Sequence, residues 1–316
     1  MRVYRHIDDI EDLGGLPRAV AIGTFDGLHR GHQEIVKKAV QAAAGMGGVS
    51  AVLTFEPHPS SVLSPGRDLA LLSTFDHKVD LLDEAGVDEV IALPFDEAFA
   101  ALTPEEFCRT ILSDRLNARQ VMVGENFRFG RGASGSAEDL IAHGRRSGFS
   151  VTAIGLVIVR GKSVSSTRIR RLIAEGRVEE AAELLGRPHT VEGYVEGGAG
   201  RGRTLGTPTA NLEAVSGVAL PGPGVYVTRT LVSADDGRPS VTSIGTNPTF
   251  ESDGRLRIET YVLDFAGNLY GRRIRVQFLE WVRPQHTFSD AALLQERIAE
   301  DVRVAREFFA SRPTAS

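Results

Sequence analysis

Ala19-Val20-Ala21-Ile22-Gly23-Thr24-Phe25-Asp26-Gly27-Leu28-His29-Arg30-Gly31-His32-Gln33 reads as a strand, a tight turn and the opening of a helix. Four apolar residues in a row suit a strand, and helical spacing then runs over residues 33–44 and stops near Gly47-Gly48. Working outward, further short apolar runs at 50–55, 89–93, 120–123 and 149–155 alternate with helical patterns at 76–85, 104–116 and 137–146. Repeated alternation of this kind predicts a parallel, doubly wound α/β sheet. The start of the helix at 104 is marked three ways: Thr103 can cap it, Pro104 suits its first position, and Glu106 can complete a capping box.

Beyond Arg160 the spacing predicts helices over 167–175 and 178–185, before Gly186-Arg187-Pro188 breaks the pattern. The expected domains are therefore 1–186 and 187–316. Strand-like runs at 191–195, 224–232, 240–245, 257–265 and 273–281, punctuated by Gly, Pro and Asn, predict an antiparallel β-barrel. Leu293, Leu294, Ile298, Val302 and Phe308 recur at helical spacing over 289–310, so a C-terminal helix should close the second domain. A length of 316 residues fits two domains with a core each.

Composition narrows the classes of function. The chain is 42% apolar and 24% charged, close to globular averages, and has no apolar run of the roughly 18 residues needed to span a bilayer. The first 12 residues lack the apolar core of a signal peptide, and Cys108 is the sole cysteine, which rules out an internal disulfide. The cytoplasm is the expected compartment. A net charge of -5 argues against a nucleic-acid partner, and neither a membrane nor an obligate protein partner is expected.

The turn after the first strand lies where open α/β sheets gather ligands. His29 and His32, three apart on the first helical turn, can face one anion at a helix N-terminus, with Gly31 permitting close approach. His-x-Gly-His is expected about 0.02 times by chance, given 8 histidines and 34 glycines in 316 residues. A pair of capping or packing histidines is the plainer alternative, and zinc is disfavoured because no third ligand sits at recognisable spacing. A phosphate site is the reading taken. Ser165-Ser166-Thr167-Arg168 opens another helix with hydroxyls, backbone donors and a guanidinium, a set able to hold a leaving pyrophosphate.

These segments, with Thr54 to Pro59, Gly124 to Gly130 and Val164 to Arg170, resemble the bacterial bifunctional riboflavin kinase and FMN adenylyltransferase family, also called FAD synthetase. The order along the chain matches, and the resemblance covers nearly all of it. It implies a Rossmann-like nucleotidyltransferase domain followed by a kinase barrel, with riboflavin, FMN and ATP as ligands, FAD as product, and Mg2+ at both sites. In the first domain it implies that Gly23, Phe25, Asp26, Gly31, Asn126, Ser165, Ser166 and Thr167 bind nucleotide phosphates, and that His29, His32 and Arg168 serve catalysis. Pro57, His58 and Phe129 would border the flavin. A Pro-stiffened turn and a polar loop remain the plain reading of those two segments.

In the second half, Gly197, Gly198, Gly200, Gly202 and Gly206 interleave with Arg201 and Arg203, ahead of Pro208-Thr209-Ala210-Asn211. Glycines admit a phosphate and arginines neutralise it, although such a loop alone is more often a surface turn. The resemblance implies that Gly200 and Arg203 bind ATP phosphates, that Thr209 and Asn211 hold Mg2+, and that Glu259 is the base for the ribityl hydroxyl. Periodicity alone makes Glu259 an outward-facing strand carboxylate.

Three positions depart from the family pattern. Thr207 stands where Phe is usual, Ser243 where Asn is usual, and Asn247 where Arg is usual. They motivate an alternative in which the barrel captures flavin but phosphorylates it weakly or not at all. Two further rivals are a related nucleotidyltransferase acting on another phosphate ester, and a flavin carrier without enzymatic activity.

Overall fold

The computed structural model describes residues 1–10, 15–64, 66, 69–197, 209–233, 236–245, 256–286 and 291–312. It divides into two compact units, one formed by Met1–Leu69 with Phe75–Ser165, the other by Ala70–Thr74 with Ser166–Ser316.

The first unit is a six-stranded, wholly parallel sheet. Its strands are β1 (Arg2–Tyr4), β2 (Arg18–Ile22), β3 (Val49–Phe55), β4 (Glu89–Leu93), β5 (Ala118–Gly124) and β6 (Ser150–Ile154), in the order β1-β4-β3-β2-β5-β6. β2 is buried at every residue, and its side chains alternate between two cores. Ala19 and Ala21 join one cluster with Val52, Val90 and Met122, which α1 (Arg30–Met46) and α2 (Phe75–Glu84) cover through Ile35, Val36, Leu81 and Leu82. Val20 and Ile22 join the other cluster with Leu53, Ile91 and Val121. There Leu112, from the helix Phe107–Arg115, and Leu140, from α3 (Ala137–Ser147), close the opposite face. Two covered faces are the doubly wound arrangement the alternation predicts.

The capping box at Thr103 and Glu106 forms, but the helix it starts widens after Glu106 into i→i+5 pairing, with Leu116 N–H donating to Ile111 O. β1 was not predicted; it is a three-residue edge strand parallel to β4. Where β2 and β4 begin, buried Arg18 donates to Glu89 at 2.7 Å, so each charge is paired where burial would otherwise penalise it.

In the second unit, α4 (Ser166–Ala174) and α5 (Val178–Leu185) precede a closed antiparallel barrel. The barrel strands are β7 (His189–Glu196), β8 (Ala210–Ala214), β9 (Gly224–Leu231), β10 (Gly237–Gly245), β11 (Arg257–Val262) and β12 (Arg273–Arg283), closed in the order β7-β8-β11-β10-β9-β12. β8 was not predicted. Part of the interior is apolar, with Val191, Leu212, Tyr226, Ile244, Ile258 and Phe278 among its residues. Another part is a chain of fully buried hydroxyls, Thr230–Ser240–Thr228–Thr242–Thr260, linked at 2.8–3.0 Å. The C-terminal helix α6 (Ala291–Ser311) lies on Val225, Val227 and Val241, and its Asp301 pairs bidentately with Arg283 at 2.7 and 2.9 Å.

The segment 70–74 comes from the first half of the sequence yet packs in this second unit. Leu71 accepts from Ala219 N–H and donates to Gly217 O, Ala70 O accepts from Arg170, and Thr74 donates to Glu192.

Candidate functional site

β2, β3 and β4 step outward in one direction before the chain returns to lay β5 on the free side of β2, which makes the β2–β5 crevice the switch point of the sheet. The turn after β2 and the loop after β5 both open there. The turn is tightly wound, with Phe25 (φ 48°), Gly27 (φ 71°) and Leu28 (φ 37°) all in the left-handed region. For Phe25 and Leu28 that conformation costs on the order of 1–2 kcal/mol each, and strain of this kind persists where the surroundings over-determine it. Here Phe25 is fully buried against Gly23, Asp26 is 2% exposed, Gln33 donates to Leu28 O at 2.8 Å, and Thr54 Oγ1 donates to Thr24 O at 3.1 Å.

His29 is the N-cap of α1: its Nδ1 accepts from His32 N–H at 3.3 Å. That bond makes Nδ1 the acceptor of the ring. The His32 ring stacks on the His29 ring, centroids 3.6 Å apart at 15°, and meets Phe25 edge-on at 5.3 Å. Burial first, then the positive charges of His29 and Lys78, hold the His32 imidazole well below its usual range, so it is neutral at pH 7. A Cβ on Gly31 would lie 3.3 Å from the His29 ring, a tight contact that would press on that ring. Capping, the plainer alternative to a phosphate role for the pair, is what His29 does here.

Asn126 follows β5 and is exposed, its Oδ1 3.1 Å from where a Cβ on Gly124 would sit. Pro57 is exposed, and His58 caps the short helix Pro59–Leu63 by accepting from Ser60 N–H at 3.2 Å. Phe129 is a core residue, packed on Phe107 at 5.5 Å and beneath Phe127 at 5.6 Å; of the stacked pair, Phe127 is the half-buried ring. Ser165 is exposed and ends the first unit, while Ser166, Thr167 and Arg168 form the first turn of α4 in the second.

Sequence reasoning missed Lys78, 6% exposed on α2, whose Nζ donates to Thr24 O at 3.0 Å. Burial lowers its pKa, while Asp26 and Glu56 push it back up. A signal was present: Lys78 occupies the helical stripe of Leu81 and Leu82, at i−3 and i−4, where a solvated lysine does not belong.

On the barrel, strand register brings separated residues into one row. Asn211 on β8 stands opposite Glu259 on β11, which stands opposite Ser243 on β10, with Glu196 of β7 beyond Asn211. Direct partners share a face, with Cβ atoms about 4.5–5.5 Å apart. Ile258 and Thr260 point inward, so this row lies on the outer face, where Glu259 is exposed and Asn211, Ser243 and Thr209 are half-buried. A hydrogen bond with Glu213, and that residue's charge, raise the pKa of the Glu196 carboxyl. Gly200, Arg203, Thr207 and Asn247 lie outside the described residues.

Family models match both halves: FAD synthetase over residues 16–168 and riboflavin kinase over 185–309. A bifunctional riboflavin kinase/FMN adenylyltransferase of Listeria monocytogenes is 37% identical, the match covering 93% of each chain. That of Escherichia coli K12 is 34% identical over 98% of each. A solved structure from Streptococcus pneumoniae described as a macrolide-efflux protein superposes with a TM-score of 0.86 at 32% identity, covering 96% of this chain and 98% of that one. No helix among the described residues is long and apolar enough to cross a membrane. With the stacked histidines at the switch point of a parallel sheet, the Asn211–Glu259 row on a closed barrel, and matches over both, the chain belongs to the bifunctional riboflavin kinase/FMN adenylyltransferase family.

Proposed function

We propose that this chain makes FMN from riboflavin and FAD from FMN, with ATP as the second substrate of each step. What carries the reading is the agreement between the two family matches and the two residue clusters, since each match contains one cluster. The riboflavin kinase match runs through positions 207, 243 and 247, which favours phosphorylation over mere flavin capture. The sole cysteine, Cys108, is buried, in keeping with a reducing cytoplasm.

In adenylylation, a phosphate oxygen of FMN attacks the α-phosphorus of ATP in line, and the bond to the β-phosphate oxygen breaks to release pyrophosphate. The neutral His32 ring donates its N–H to the reacting phosphate as a dipole, and His29 meets the same phosphate beside it. Gly23, Phe25, Asp26 and Gly31 shape the turn, and Asn126 contacts the nucleotide. Ser165, Ser166, Thr167 and Arg168 bind the departing phosphates, while Pro57, His58 and Phe129 border the flavin. Catalysis here is positioning and electrostatics, without a covalent intermediate.

In phosphorylation, Glu259 takes the proton of the ribityl hydroxyl as that oxygen attacks the γ-phosphorus, and ADP leaves. Gly200 and Arg203 hold the phosphates of this second ATP. Thr209 and Asn211 supply neutral oxygen donors beside the Glu259 carboxylate, a hard set that suits Mg2+. When bound, the ion neutralises phosphate charge. Glu259→Gln keeps the shape of the row but cannot accept the proton, so FMN formation from riboflavin should fall ~100-fold or more while FAD formation from supplied FMN continues. Undiminished riboflavin phosphorylation by this variant would refute the assignment of the base.

A further inference from the structure

Lys78 is a residue the family reading did not supply, and its surroundings point to a ligand. A lysine at a helix surface normally runs its stem along apolar atoms and keeps its ammonium in water. This one is 6% exposed and turns inward, giving one of its three N–H bonds to Thr24 O at 3.0 Å, a carbonyl that also accepts from Thr54 Oγ1 at 3.1 Å. Two donors from two different elements therefore pin the turn that carries His29. The acidic groups Asp26 and Glu56 favour the ammonium through space, and Lys78 in turn disfavours a proton on His32. With His32 neutral, its ring provides an N–H dipole, while Lys78 provides a full positive charge at the turn that carries His29. A polyphosphate chain needs that charge most as the bond to the leaving group breaks and negative charge gathers on the β-phosphate.

We propose that Lys78 is a substrate-binding cation of the adenylylating site, holding a phosphate oxygen of ATP through Nζ while the same ammonium fixes the 23–29 turn by Thr24 O. The proposal rests on reading the first unit as the adenylylating one. It makes Lys78 the group that favours a polyphosphate over an uncharged ligand in that crevice.

The test compares the full-length protein with Lys78→Met, Lys78→Gln and Lys78→Arg. Three quantities are measured: FAD formation from FMN, riboflavin phosphorylation as the internal control, and calorimetric binding of inorganic pyrophosphate. Any pyrophosphate held by the barrel unit is common to all four proteins and cancels. Lys78→Met should lower kcat/KM for FAD formation ~100-fold or more and weaken pyrophosphate binding ~10-fold or more, with riboflavin phosphorylation unchanged. Lys78→Arg should recover most of the pyrophosphate binding. Wild-type pyrophosphate affinity and near-wild-type FAD formation in Lys78→Met would overturn the proposal. So would lost FAD formation with intact pyrophosphate binding and no rescue by arginine, because the residue would then be only a structural prop. Should Lys78→Met fail to fold, Lys78→Gln and Lys78→Arg give the same comparison of neutral against charged side chains. Should the wild-type protein make no FAD, the adenylylating reading fails on its own, and the pyrophosphate titration still decides the role of Lys78.

Discussion

His29 carries two tasks on two ring nitrogens, and substitution can take them apart. Nδ1 closes the first turn of α1 by accepting from His32 N–H, and Nε2 is the atom proposed to meet a phosphate. Asparagine is among the best N-cap residues, and its Oδ1 can replace Nδ1 as acceptor, but the side chain is too short to reach the Nε2 position. Alanine removes both functions. Both variants also lose the ring stack with His32, worth about 0.5–1.5 kcal/mol, so that contribution cancels between them. The capping difference then stands alone: His29→Ala should be about 1 kcal/mol less stable than His29→Asn, a melting difference of about 2–4 °C. Activity should sort differently. Both variants should lose ~100- to 1000-fold in kcat/KM for FMN adenylylation, the usual consequence of removing one preorganised donor, with riboflavin phosphorylation retained. Thermal unfolding and chromatographic assays of the two products measure these quantities separately. Wild-type adenylylation by His29→Asn would refute the phosphate role, and identical melting of the two variants would refute the cap.

Two further expectations concern the second unit. Thr242→Val is nearly isosteric, but it strips Thr228 of one hydroxyl partner and leaves the buried Thr260 hydroxyl without its bond to Thr242. The expected cost is about 2–4 kcal/mol in chemical unfolding, mostly recovered in Thr242→Val/Thr260→Val, where the orphaned hydroxyl is gone; a single variant within 0.5 kcal/mol of wild type would contradict this. His189 is buried, and desolvation lowers its pKa to about 4, with its bond to Ala219 O opposing the shift and Arg187 adding to it. Unfolding frees an imidazole of ordinary pKa near 6.5, so the unfolded state binds the extra proton. Stability from this group is therefore complete above pH 6.5 and declines as the pH falls toward about 4, by up to roughly 1.4 kcal/mol per pH unit. A stability–pH slope in that window equally steep in His189→Gln would assign the effect to other groups.

Much of the first unit was legible because burial writes itself into sequence. The run Ala19 to Ile22 announces a strand, the alternation after it announces helices over the sheet, and Thr103, Pro104 and Glu106 announce a helix start. The widening of that helix after Glu106 was not legible, because 3.6-residue spacing does not disclose one extra residue per turn. β8 escaped because Ala210-Asn211-Leu212-Glu213-Ala214 has weak strand propensity, and it is a strand because β7 and β11 pair with it. Periodicity put Glu259 on the outer face, correctly, but its meeting with Asn211 and Ser243 is a matter of register between strands far apart in sequence. The histidine pair was found from spacing alone. The neutral state of His32 was not, because that follows from burial and from the charges of His29 and of Lys78, which arrives from another helix.

The five residues 70–74 give the molecule an unusual connectivity. The chain passes between the compact units three times, after 69, after 74 and after 165, rather than once. No single break in the polypeptide therefore yields two intact halves. A protease cutting at 165 would leave Leu71 still bonded to Gly217 and Ala219, and Ala70 still bonded to Arg170, so the fragments would copurify until denatured. A fragment beginning at 187 would fare differently. It would lack that five-residue insert, and with it α4 and α5, whose Ile173 O accepts from Gly222 N–H and whose Glu179 accepts from Trp281 N–H. A gene for the barrel alone would have to supply substitutes for all of these, so moving either half into a new context calls for redesign at the junction as well as a choice of where to cut.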